Sequence, residues 1–154
     1  MTLNMDLRSA YPRSIRDKLA GYVHLARMID KCRATLADTQ GEYIYPCPLD
    51  KRLLDFAGLT PEQFTEAVRG QPDAVVADWF CKASKPHDPA EIEQWNDMML
   101  TRGPDTLEKW DYFKELRDAI DSSRTDITSW ADLLDLDEKR VVPRRKAAAI
   151  GERR

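Results

Sequence analysis

The sequence predicts an all-α fold, a compact bundle of six or seven mostly short helices around a long, largely buried first helix. Three observations predict it. Apolar residues recur at three- and four-residue spacing in one segment after another. Helix-start signals, a Ser, Thr or Asp followed by Pro or an acidic first turn, recur along the chain. The one alternating stretch, GEYIYPCP at 41–48, carries prolines that a paired strand does not accommodate, so it is expected as an ordered loop.

The first helix is expected from Ser14, as N-cap after Pro12, to about Asp38, stopping before Gly41. Leu3 and Leu7 precede it in an extended lead-in. Cys47 stands as the N-cap of a second helix, with Pro48 at N1, Asp50 at N3 and Gly58 at its end. Thr60-Pro61-Glu62-Gln63 opens a third, which ends at Gly70. Pro72 and Asp73 open a fourth, with Val75, Val76, Trp79 and Phe80 on one face. Asp88 with Glu91 opens a fifth, backed by Ile92, Trp95 and Met99. Asp105 with Glu108 starts a sixth, whose Leu107, Trp110, Phe113, Leu116 and Ile120 keep helical spacing. Ser129 with Asp132 starts a short last helix. The four tryptophans are each expected to anchor their own helix in a shared core. Residues 1–142 are expected as a single helical domain and 143–154 as a basic tail.

With 42% hydrophobic and 33% charged residues among 154, the chain is apolar enough to fold as a domain rather than remain disordered. It contains no apolar run of the roughly 20 residues a membrane helix needs. The N-terminus lacks a secretory signal, and three widely spaced cysteines argue against a disulfide framework, so a cytoplasmic setting is expected. Charge is uneven. Residues 1–54 hold 9 basic and 6 acidic side chains, 55–138 hold 8 and 20, and 139–154 hold 7 and 1. The acidic middle repels phosphate backbones and disfavours nucleic acid as a partner.

On a helical wheel, Ile15, Leu19, Tyr22, Val23, Ala26 and Ile29 of the first helix cluster in one sector, which Leu25, Met28 and Cys32 widen. Arg16, Asp17, His24, Arg27 and Lys31 share a narrow polar wedge. Lys18, Asp30 and Arg33 project into the apolar sector and are expected as structural ion pairs, Asp30 with Arg33. The wedge suggests a site for an anion or small polar ligand. Arg16, Arg27 and Lys31 would supply charge, and His24, Tyr43 and Tyr45 directed hydrogen bonds. A second function class is a small enzyme with Cys47 as nucleophile at a helix start and His24 as base. A third is a protein–protein adaptor using the acidic middle and basic tail. Cys32 and Cys81 read as core thiols. His24, Cys32, Cys47, Cys81 and His87 match no close zinc-ligand spacing, so no metal is expected. The chain has neither a Walker loop nor a dinucleotide fingerprint, and no cofactor is expected.

The runs PRSIRDKLAGYVHLARMIDKCRA and GEYIYPCPLDKRLLDFAG carry Arg13, Asp17, Lys18, Leu19, His24, Ala26-Arg27, Asp30-Lys31, Glu42-Tyr43 and Cys47-Pro48-Leu49-Asp50. On these residues the chain resembles an uncharacterised bacterial family classed as a domain of unknown function, family 5069. The resemblance covers residues 6–84 well and later residues less clearly. It supplies no activity, and implies that the first helix and the Tyr43/Cys47 loop belong to one signature.

Overall fold

The computed structural model describes residues 5–145. Among these lie seven helices and no strand: α1 (Leu25–Leu36), α2 (Pro48–Ala57), α3 (Pro61–Val68), α4 (Asp73–Ala83), α5 (Pro89–Thr101), α6 (Leu107–Asp121) and α7 (Trp130–Asp137). The all-α expectation holds. None of these helices is long and apolar enough to cross a membrane. The chain divides into two compact units, Met1–Gln94 and Trp95–Arg154, with the boundary inside α5.

The first helix is shorter than the wheel supposed: α1 has 12 residues and begins after His24. Upstream, Leu19 and Tyr22 exchange both backbone hydrogen bonds at 3.0 Å around Ala20 and Gly21, whose φ values are 56° and 86°. Two consecutive residues at positive φ make a tight reversal of the primed type. The chain doubles back, and the His24 amide donates to the Ile15 carbonyl at 2.9 Å. His24 itself takes φ 71° as the residue preceding α1. Ser14 therefore caps no helix; its hydroxyl accepts from the Arg16 amide in a local turn. The apolar residues are still buried: Ile15 and Val23 are inaccessible and Tyr22 nearly so. They reach the core from a turn instead of from a helix face.

The shorter helix corrects the placement of charge. Lys18 stands exposed and pairs with Glu93 at 3.1 Å. Asp30 and Arg33 do not neutralise each other. Asp30 takes Arg13 at 3.0 Å, and Arg33 takes Asp73 at 3.0 Å. Arg27 and Lys31, assigned to a polar wedge, are buried.

Local start signals are obeyed elsewhere. The Asp50 carboxylate accepts from the Cys47 amide, Thr60 and Gln63 exchange the two bonds of a capping box, and Asp88 and Glu91 do the same. Gly58 closes α2 at φ 75°, where an added Cβ would meet the Lys85 side chain. Thr106, not Asp105, caps α6, accepting from the Lys109 amide. In the first unit α3 packs on α1 and on α4. Phe64 and Phe80 meet edge to face at 6.2 Å, and Tyr22 stands edge-on to Phe80 at 5.1 Å. Val76 and Phe80 are buried, whereas Val75 is exposed, as is Cys81, which sequence reasoning had placed in the core. Leu7 is buried; Leu3 lies outside the described residues.

In the second unit α6 packs on α7, and Phe113, Ile127, Leu133 and Val142 form the core, flanked by Trp110 and Trp130. The tryptophans thus serve different clusters, since Trp79 lies against Phe64 and Phe80 in the first unit. Leu107, Leu116 and Ile120 are exposed, because α6 turns Phe113 and Arg117 inward and Arg117 donates to the Ile127 carbonyl. The start of the basic tail is anchored. Arg145 donates its amide to Asp126 at 2.7 Å and its guanidinium to Asp132 at 2.8 and 2.9 Å. Residues 146–154 lie outside the described residues.

Candidate functional site

A carboxylate inside a protein needs several donors, or it binds a proton instead. Asp50, fully buried at N3 of α2, has them. His24 meets Oδ1 through Nε2 at 2.7 Å; the Lys31 ammonium donates to Oδ2 at 2.8 Å; the Cys47 amide donates to Oδ2 at 2.9 Å. His24 immediately precedes α1 and Lys31 lies within it, and both side chains reach the one carboxylate of Asp50. Cys47 precedes α2 by one residue, and its Sγ lies 3.0 Å from Lys31 Nζ.

The electrostatics fix the protonation states. Burial opposes charge on Asp50, but the bonds from His24 and the charge of Lys31 outweigh it and hold the carboxyl well below the usual carboxylate range. Burial also pushes His24 below its ordinary value, against the pull of Asp50. An ionised carboxylate only accepts, so the neutral ring carries its hydrogen on Nε2. Nδ1 is then a buried lone pair with no hydrogen-bond partner among the described residues. Three of the four side chains, His24, Lys31 and Asp50, are closed to solvent; Cys47 is half-buried and free as a thiol.

A second set of charges borders α1. Arg13 clamps Asp30 with its backbone amide at 2.8 Å and its guanidinium at 3.0 Å, and reaches Asp73 of α4 at 2.8 Å. Burial raises the affinity of Asp73 for protons, but Arg13 and Arg33 overcome it, and the carboxyl titrates below its ordinary value. Arg27 donates to the Arg13 carbonyl at 3.2 Å and lies over the Tyr43 ring at 5.7 Å, within cation–π range.

The structure thus brings His24, Lys31 and Cys47 together through Asp50, and Arg27 together with Tyr43. Arg16 is half-buried near the turn at Ser14. Tyr45 turns to α3: its hydroxyl lies 3.1 Å from both the Pro61 carbonyl and the Thr65 hydroxyl, and burial raises its pKa. His24 is bonded to Asp50, and the group at the sulfur is Lys31. Sequence reasoning missed Asp50 as the hub and Arg13 and Asp73 as clamp residues, because helix-start positions account for Asp50 and Asp73 without any distant partner. Among the described residues no group of three or more His, Cys, Asp or Glu is arranged to hold a metal ion.

A family model described as "Domain of unknown function (DUF5069)" matches residues 9–140, extending beyond the 6–84 stretch that carried the sequence resemblance. No curated protein matches the chain.

Proposed function

From the premise that the chain belongs to the DUF5069 family, we propose that it is a small thiol-dependent enzyme in which the Cys47 sulfur gives its proton to solvent and bonds to a soft electrophilic centre as that centre's bond to a leaving group breaks, the leaving group departing with the electron pair. Lys31 donates a hydrogen bond to the sulfur. Asp50 holds Lys31 in place, and His24 holds Asp50, so both are positioning residues. One observation carries the proposal: the buried His24–Asp50–Lys31 network ends at a half-buried thiol, with Lys31 Nζ 3.0 Å from Cys47 Sγ. Burying charged groups is costly, and such networks cluster where a reactive group is being tuned. The Lys31 ammonium and the first turn of α2 both lie beside the sulfur. A cytoplasmic setting belongs to the same proposal and is supported by three free cysteines.

An anion or small polar ligand held by Arg16, Arg27 and Lys31 is the weaker alternative. Lys31 already donates to Asp50 and Cys47, and Arg27 is only 3% exposed. The chain supplies its own control for the thiol, since Cys81 is exposed. Brief treatment with iodoacetamide at neutral pH, read by peptide mass spectrometry, is expected to label Cys47 faster than Cys81. Equal or slower labelling of Cys47 would sink the enzyme proposal.

A further inference from the structure

Beside the 43–47 loop, α1 and α3 enclose a cleft of about 350 Å³, which plays no part in the thiol chemistry proposed above. That volume is at the small end of ligand sites. Its walls are mostly apolar, with Leu36 of α1, Pro46 of the loop and Pro61 of α3 among them. The hydroxyls in it are already engaged. Thr65 donates to the Pro61 carbonyl at 2.8 Å, and Tyr45 bonds to the same carbonyl and to Thr65. The interior therefore offers an incoming molecule packing area and few open hydrogen-bonding sites.

Its charge is one-sided. Glu62 and Glu66, both exposed, lie one turn apart on α3 and line the cleft, and no lining residue is basic. Glu66 also pairs with Arg69 at 2.9 Å, but both partners are more than half exposed, so solvent screens that pair. The positive end of α3 opposes a cation with only about half an elementary charge, against two full carboxylate charges. We propose that this cleft binds a small organic cation, an alkylammonium whose chain packs on Leu36, Pro46 and Pro61 while its head meets Glu62 and Glu66. The sign is opposite to that of the anion expected from the helical wheel.

The test is a titration of the full chain, labelled with nitrogen-15, with hexylammonium, followed through its backbone amides. Hexanoate and hexanol are the charge and neutral controls. Hexylammonium is expected to shift the amides of Thr35, Leu36, Tyr45 and Thr65, and hexanoate to leave them in place. The E62Q/E66Q double variant changes two exposed side chains, so it should fold, and it is expected to weaken binding about fivefold. Hexanoate or hexanol binding as tightly as hexylammonium would overturn the proposal, as would unaltered binding by the double variant or the absence of shifts at these amides. None of these outcomes bears on Cys47 labelling, so the two proposals stand or fall separately.

Discussion

His24 Nε2 and Asp50 Oδ1 meet at 2.7 Å with both side chains fully buried. The pairing makes the fold acid-sensitive. An unfolded chain takes up a proton on His24 near its ordinary value of 6.5, while the folded chain resists it. The unfolded state thus binds more protons as pH falls through that value, and stability falls with it. Asp50, Asp73 and Asp126, all held below 3.8, add a second loss of the same sign at more acidic pH. The urea midpoint is expected to be lower at about pH 5.5 than at about pH 8. His24→Asn keeps a residue that tolerates positive φ and should abolish the upper step. An unchanged midpoint in the wild-type chain would contradict a neutral, buried His24.

Asp50→Ala leaves Lys31 buried without its carboxylate, and should destabilise the chain by about 3–5 kcal/mol. Glu66→Ala removes an exposed pair and should change stability by less than about 1 kcal/mol. Denaturant unfolding of the two variants checks the contrast; equal effects would mean that the Asp50 network contributes no more than a surface pair.

Arg145 marks where the basic tail stops being a tail. Arg145→Ala strips the guanidinium from Asp132, a carboxylate whose side chain is only 5% exposed. A loss of about 2–3 kcal/mol is expected. Thermal melting reads it, and a change within about 0.5 kcal/mol, typical of plain surface positions, would show that the contact adds nothing.

Gly103 tests the backbone of the second unit. A Cβ there would stand 2.3 Å from the Thr128 carbonyl oxygen, a backbone atom that cannot swing aside. Gly103→Ala should cost about 1–3 kcal/mol, whereas Gly70→Ala meets no atom within 4 Å and strains only its own φ of 67°. Urea midpoints of the pair separate the two effects, and a Gly103→Ala variant as stable as wild type would refute the close approach.

Helix starts were legible because a cap is local. Thr60 with Gln63, Asp88 with Glu91 and Ser129 with Asp132 each satisfy their own first turn within three residues. The reversal at Ala20 and Gly21 was not legible. Ala20 and His24 adopt positive φ without being glycine, and the apolar spacing around them imitates a helix. Gly21 was the one local warning, a glycine inside an otherwise continuous helical pattern. The Asp50 hub was hidden for a different reason. Its partners His24 and Lys31 stand 26 and 19 residues away, and only the folded chain brings them to one carboxylate. Cys47 and Lys31 were each singled out by residue type, but their contact was not.

The contact between Lys31 and Cys47 is the centre of the functional account, and one comparison tests it most directly. Alkylation rates of Cys32, Cys47 and Cys81 are measured together in the wild-type chain and in Lys31→Met. Cys32 is buried, so its continued protection shows that the variant remains folded. With Cys32 protected, removing the ammonium is expected to slow Cys47 by about tenfold and to leave Cys81 unchanged. A Cys47 rate unaltered by Lys31→Met would contradict the account.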